Sequence, residues 1–443
     1  MTTPHVCLIG QFIVDVTLPA HGNPYKLRGG GIMHAARALW AIDVGYSLCY
    51  CAPDYLTSQI ADNAKQYGAA RVQQFGLVSG CPNVLLIGEP KEAGDQGYEF
   101  LLRDTHKCET RAEAIRTCLT SPATDALIFP GGFDLAPVLS VLGSSKANVF
   151  ADANFEPQDE TTFGNLGRQF ETLIYSTSSR HFVERYGGRF DGIHKGLLGK
   201  YANSILLKEN RGGSRFIRGS EVLQVPAQSR AIQHSVGVGD CFDAIFIALR
   251  HKVSERAALA YASCIAAEYA CTTYPDVFRD AALAWLKVPP DEISEIGGVS
   301  LPWESRSGIH VYVAAPDFDH VDRRPLDTLV ASLKYHNFTP RLPVREHGQM
   351  GENASEERRQ TLCDADMRLL DECQLLVAVM LYDDPGTLIE IGIAVERGIP
   401  VIVYDPYSRA DNLMLTQLPF RVSSDLDQVI SAVFDQASKV TPK

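Results

Sequence analysis

The chain has 443 residues, enough for two or three domains. Its 53 acidic residues outweigh 41 Lys and Arg, and a formal net charge of −12 excludes a general nucleic-acid binder, which needs a basic footprint. A local Arg or Lys cluster would still suffice for a small phosphorylated ligand.

The apolar start VCLIGQFIV runs into Asp15 and lacks a basic leading segment, so it does not read as a secretory signal. No apolar run reaches transmembrane length. The eleven Cys show no metal-ligand spacing, and the close pair Cys49 and Cys51 is a poor zinc signal alone. Their odd count and apolar settings predict buried thiols in a reducing compartment. The expectation is a cytoplasmic protein with neither membrane nor nucleic-acid partners and no metal ligands of its own.

In chain order, apolar runs of strand length occur at residues 5–16, 46–53, 83–90, 125–131, 147–154, 172–177 and 204–210. Helical patterns fall at 32–42 and 240–253. This alternation predicts an α/β fold on a mainly parallel sheet. Two glycine-rich junctions stand out. Gly29 and Gly30 precede the first helix, where a ligand could approach the backbone closely. Gly237 and Gly239 open the second, with Asp240 in its first turn. Free amides there can hold a phosphate, and Asp240 could accept a proton from a substrate hydroxyl. Residues 288–307, rich in Pro, Gly, Ser and acids, read as a linker. The predicted division is 1–290, linker 291–307, and 308–443.

The last segment repeats the alternation on a smaller scale. QLLVAVML is a strand, DDPG a turn, and TLIEIGIAVER a helix closed by Gly398. Asp384 therefore sits at the carboxyl end of a strand, where open α/β sheets build ligand sites. Glu390 lies near the helix start, where the macrodipole favours an ionised carboxylate. His310, His336 and His347 are not at ligand spacing, and residues 356–359 read as a solvated helix face.

Two resemblances follow. Asp384, Pro385, Gly386, Thr387, Glu390, Gly392 and Ala394 match the D-x-G-T-x-x-E-x-G-x-A pattern of the nucleoside 2-deoxyribosyltransferase family, and residues 308–443 resemble it throughout. Tyr312 falls at the family's tyrosine, and Asn412 and Met414 at its Asn-x-Met element. The resemblance implies a smaller Rossmann-like (flavodoxin-like) parallel domain needing no cofactor. It implies Glu390 as a nucleophile on C1′ of a (deoxy)ribosyl group, Asp384 protonating or orienting the leaving base, and Tyr312 positioning Glu390. Asp366 or Asp371 would serve sugar hydroxyls. Asn412 and Met414 would reach into a neighbouring subunit's pocket, so a homo-oligomer, most simply a dimer, is expected.

Residues 5–287 resemble the PfkB (ribokinase-like) family, a three-layer α/β fold. Gly29, Gly30, His34 and Ala36 stand where that family has G-G-x-x-x-N-x-A, and residues 234–242 stand at D-T-x-G-A-G-D-x-F. Asp15 fits its early substrate-binding Asp, and Asp152 with Asn154 its D-x-N element. The nucleotide-side loop carries Lys208, Glu209, Asn210 and Gly213. The resemblance implies ATP and Mg²⁺ as cofactors, if that domain is active, and a pentose or nucleoside as substrate. Its departures are His34 for Asn, His234 for Asp, and no N-x-x-E over residues 173–183. Together the expectation is N-glycosidic chemistry coupled to a sugar or nucleoside kinase. Two rival readings remain: an NAD-cleaving effector with a non-catalytic kinase-like domain, and a non-enzymatic nucleotide-binding assembly module.

Overall fold

The computed structural model describes residues 5–19, 25–119, 124–154, 160–351 and 354–440. The chain forms two compact units: Met1–Lys91 with Gln96–Ser300, and Leu301–Lys443 with Glu92–Asp95.

The first unit is a ribokinase-like α/β fold. Its strands are β1 (His5–Thr17), β2 (Lys26–Gly31), β3 (Gly45–Ala52), β4 (Arg71–Ser79), β5 (Val84–Ile87), β6 (Tyr98–Phe100), β7 (Lys107–Thr110), β8 (Thr124–Ile128), β9 (Asn148–Asp152), β10 (Phe170–Ser176), β11 (Ala202–Lys208), β12 (Ser214–Arg218) and β13 (Glu221–Val225). The main order is β13-β12-β11-β10-β9-β8-β1-β3-β4-β7, parallel from β11 to β4 and antiparallel at both ends. The central strands are apolar on both faces, as parallel strands covered by helices must be. β1 outruns the main sheet. Its last residues pair with β2 and β5, and β6 extends this small side sheet. The helices Ile32–Ala41, Val238–Leu249 and Glu255–Cys271 pack together in the largest apolar cluster. Residues 288–307 are packed: Val299 bridges to Ala227, and short helices span Pro290–Ser294 and Trp303–Arg306.

The second unit has five parallel strands, β14 (His310–Ala314), β15 (Thr339–Arg341), β16 (Leu375–Val379), β17 (Val401–Tyr404) and β18 (Arg421–Ser423), in the order β15-β14-β16-β17-β18. The chain leaves β14 for one edge and returns on the other side as β16. Their carboxyl ends thus flank a topological switch point, where such sheets open a crevice for ligands. Glu92–Asp95 belongs to this unit through Tyr335, which donates to Glu92 Oε1 at 2.8 Å, and through the 3.1 Å contact of His336 with the Ala93 carbonyl. Among the described residues no helix is long and apolar enough to cross a membrane.

Candidate functional site

The helix after β16 runs Pro385–Glu396. Asp384 is its N-cap: Oδ2 accepts from the Thr387 amide at 2.7 Å and the Thr387 hydroxyl at 2.9 Å, and Pro385 occupies the first turn. The other end closes on Gly398 at φ +69°. Its amide bonds to the Val395 carbonyl, and the Ile399 amide to Ala394, the two bonds of a Schellman motif. With both ends fixed, Thr387, Ile391 and Ala394 face the core. Glu390 lies on that same stripe, where an apolar residue is the ordinary choice.

From β14, the buried Tyr312 donates its phenol to Glu390 Oε1 at 2.6 Å. Burial pushes the Glu390 carboxyl up to about 7; the Tyr312 hydrogen bond opposes that rise, and Asp366 and Asp384 add to it. Burial and the facing carboxylate also push the Tyr312 phenol up. The macrodipole's preference for an ionised carboxylate, expected from sequence, is outweighed here by burial. Glu390 sits in the second turn, beyond the short reach of the helix end, and desolvation dominates.

The structure thus joins Tyr312 and Glu390 directly, with Asp384 and Asp366 close enough to act on Glu390 electrostatically. Gly386 is beside them, its missing Cβ 3.1 Å from Asp384 Oδ2. Asp366, on the helix Glu356–Glu372, pairs with His347 Nδ1 at 2.8 Å. Asp371 instead faces outward and binds Arg397 at 2.7 Å. Asn412 caps the short helix Leu413–Gln417 by accepting from the Met414 amide, and Met414 is 59% exposed. Among the described residues neither bonds to Tyr312, Asp384 or Glu390. Sequence reading missed the loop brace at Asp317, buried and held by Arg345 at 2.6 Å and Arg323 at 3.3 Å. It also passed over His347, whose isolation in sequence carried no signal.

In the first unit the predicted residues converge differently. Arg37 donates to the Tyr269 hydroxyl at 3.2 Å, Tyr269 contacts His34 Nδ1 at 2.7 Å, and His34 Nε2 meets Asp15 Oδ2 at 2.9 Å. These directions fit one tautomer, neutral with its proton on Nε2. Burial holds His34 down to about 4 and His234 to about 3, so both are neutral at physiological pH. Arg28 lies 3.9 Å from Asp15 and within 3.4 Å of His234. A Cβ on Gly30 would fall 2.1 Å from Asp15 Oδ1, and one on Gly237 2.1 Å from the His34 ring. The Gly29 carbonyl accepts from Arg37 at 2.7 Å. Asp15 Oδ2 is therefore engaged by His34, with the Arg28 guanidinium nearby. Arg37 and Tyr269 were not legible as partners because the second is 232 residues away from the first.

The nucleotide side differs. Lys208, near Gly239, is held by Asp243 at 2.7 Å and Asp152 at 3.0 Å. Burial, reinforced by Asp152, pushes the Asp240 carboxyl up to about 7. Thr177 Oγ1 and Asn210 Nδ2, just beyond the carboxyl ends of β10 and β11, are buried without a hydrogen-bond partner among the described residues. Asn210 adopts φ +52°, and Gly213 follows at φ +100°. Such orphaned polar atoms fit a polar ligand like a nucleotide.

Comparison with known proteins supports both halves. Residues 311–421 match the family described as nucleoside 2-deoxyribosyltransferase. The apo form of an Escherichia coli protein described as a ribokinase II aligns over 64% of this chain and 99% of its own, at 14% identity and a TM-score of 0.50. A sugar kinase from Pyrococcus horikoshii aligns over 66% and 99% at 16% identity, TM-score 0.49. An Arabidopsis thaliana ribokinase complexed with ribose and ATP aligns over 65% and 100% at 13% identity, TM-score 0.47. No curated protein matches the sequence. The chain therefore combines a ribokinase-like fold with a nucleoside deoxyribosyltransferase-like domain.

The Glu390 environment has a stability consequence. The folded site favours the neutral acid, whereas an unfolded Glu ionises near 4.5. Stability from this group is therefore present below about 4.5 and is lost as pH rises to about 7. Glu390→Gln, neutral throughout, should melt above the wild type at about pH 8, and the difference should disappear near pH 4. Thermal denaturation at the two pH values checks this.

Proposed function

We propose that the C-terminal unit breaks the N-glycosidic bond of a nucleoside or nucleotide, with Glu390 as nucleophile. The observation that carries this reading is the Tyr312–Glu390 hydrogen bond at the sheet's switch point, within the residues that match the transferase family. The ionised Glu390 attacks C1′; the C1′–N bond breaks and its electron pair leaves with the base. Asp384 orients that base. Its Oδ2 already accepts two hydrogen bonds, an arrangement suited to a charged acceptor rather than to a proton donor. Asp366, steadied by His347, serves the sugar hydroxyls. A second base or water then releases the glycosyl group, giving transfer or hydrolysis respectively. Exposed Leu413, Met414, Leu418 and Phe420 support association of copies of this chain around Asn412. Light scattering that finds only an active monomer removes that part.

For the N-terminal unit we infer nucleotide binding without phosphorylation of a pentose. Asp15 Oδ2 is engaged by His34, while Thr177 Oγ1 and Asn210 Nδ2 have no hydrogen-bond partner among the described residues. ATP with Mg²⁺ would meet Asn210, Gly213 and the Gly237–Gly239 turn. Asp240, raised toward neutrality, would suit a general base, but His34 competes for Asp15 Oδ2 with any substrate hydroxyl.

Base release should rise with pH through an apparent pKa near 7, because only the ionised Glu390 attacks. Tyr312→Phe removes the donor that stabilises the carboxylate, so the midpoint should move up by about one unit. Glu390→Gln should lose at least about 10³-fold in kcat. Chromatography of free base from nucleosides, nucleoside 5′-phosphates and NAD reads all three. Release from NAD alone would favour an NAD-cleaving effector; release from none would leave a binding module. Unchanged turnover in Glu390→Gln removes Glu390 from the mechanism.

ATP should bind with a calorimetric signal that Asn210→Ala weakens about tenfold, the scale of one lost hydrogen bond. No pentose or nucleoside should yield ADP above the blank. ADP formation abolished by Asp240→Asn would restore the kinase reading.

A further inference from the structure

Two thiols meet where a β-sheet normally keeps side chains apart. Cys51 is on β3 and Cys108 is on β7, with β4 between them. The β4 residue paired with Cys51 is Gly76, in a register that shifts between Tyr50 and Cys51. Such a shift re-aims the side chain that follows it. A Cβ on Gly76 would lie 2.8 Å from Cys51 Sγ and 3.0 Å from Cys108 Sγ. With no side chain there, the sulfurs approach to 3.1 Å over the glycine, inside the ordinary contact range of about 3.5–4.0 Å.

The two cysteines are not equivalent. Cys51 is fully buried, whereas Cys108 is partly exposed on a four-residue edge strand. The hydrogen bond with Cys51 holds the Cys108 thiol below its usual range, and Thr110 helps; the same bond pushes Cys51 up. Either sulfur can donate in the 3.1 Å contact, but only the partly exposed Cys108 is open to an oxidant from solvent. This is the division expected between an attacking sulfur and the sulfur that resolves it.

We propose that Cys51 and Cys108 form an oxidation site, converted by hydrogen peroxide to a disulfide across Gly76 and restored by a small thiol. The Cys108 thiolate attacks one peroxide oxygen. An S–O bond forms, the O–O bond breaks, and the departing hydroxide takes up a proton as water. Cys51 then gives up its proton and attacks the sulfenic sulfur; the S–S bond forms and the S–O bond breaks, releasing a second water. Two thiols are oxidised by two electrons and one peroxide is reduced to two waters. Closing to an S–S bond of about 2.05 Å requires the sulfurs to approach by about 1 Å and, because β4 lies between the two strands, the β7 backbone to shift toward β3 as well. The edge strand β7, hydrogen-bonded to β4 on one side, can supply that movement.

The full-length protein is exposed to stoichiometric peroxide, alkylated under denaturing conditions and digested without reductant. The expected result is a peptide pair joined through Cys51 and Cys108, a chain lighter by two hydrogens, and full reversal by dithiothreitol. In Cys51→Ser, Cys108 should accumulate as a sulfenic acid trapped by dimedone. Gly76→Ala should prevent the cross-link, with circular dichroism reporting whether the fold is kept. The proposal is overturned if Cys51 and Cys108 are both recovered alkylated after peroxide. It is equally overturned if the wild-type cross-link joins other cysteines, such as Cys7 and Cys49, whose sulfurs are 3.7 Å apart.

Discussion

A single hydrogen bond organises the C-terminal unit. Tyr312 on β14 and Glu390 on the helix after β16 are 78 residues apart, and their 2.6 Å contact joins the two strands that flank the switch point. A carboxyl on the buried stripe of a helix violates local preference and costs stability. The Asp384 cap and the Schellman closure at Gly398 fix the helix at both ends, so Glu390 cannot rotate toward solvent without disturbing Thr387, Ile391 and Ala394. The phenol recovers part of the desolvation cost, about 1.5–3 kcal/mol for a hydrogen bond to a charged group. The result is a carboxyl poised near neutrality and less hydrated than a surface acid, the state that the proposed nucleophile would need.

The two units illustrate that a fold and its chemistry separate. The first keeps the ribokinase-like sheet and the glycine turn before Asp240. Within it, however, His34 joins Arg37 and Tyr269 to Asp15 in a chain of donors ending on that carboxylate. The missing side chains of Gly30 and Gly237 make the space that Asp15 and His34 occupy. In the second unit Glu390 is bonded to a phenol, and no cation pairs with it among the described residues. The environment of each acid is thus set by what it is bonded to, rather than by the motif in which it stands.

Much of this was legible in sequence. The strand at 374–381, the turn at Asp384 and the helix ending at Gly398 carry strong local signals: a continuous apolar run, an Asx-Pro-Gly turn and a helix-closing glycine. The sheet alternation fixed the fold class for the same reason. What sequence could not supply was environment. The Glu390 charge state depends on burial by β14 and on Asp366, both remote along the chain. The Asp15 network required Tyr269, and the Cys51–Cys108 contact required Gly76 on a strand between them. Glu92–Asp95 joins the second unit through Tyr335 and His336, yet its acidic, glycine-bearing loop has no period to reveal this.

The central claim is that Glu390 becomes covalently glycosylated. The most direct measurement is mass spectrometry of protein quenched in acid during turnover of a 2′-fluoro nucleoside analogue, whose fluorine slows departure of the sugar from the enzyme. The account predicts an intact chain heavier by one fluorinated pentosyl group, with the added mass located on Glu390 in the digest. An adduct on another residue, or base release with no adduct at any quench time, would contradict it.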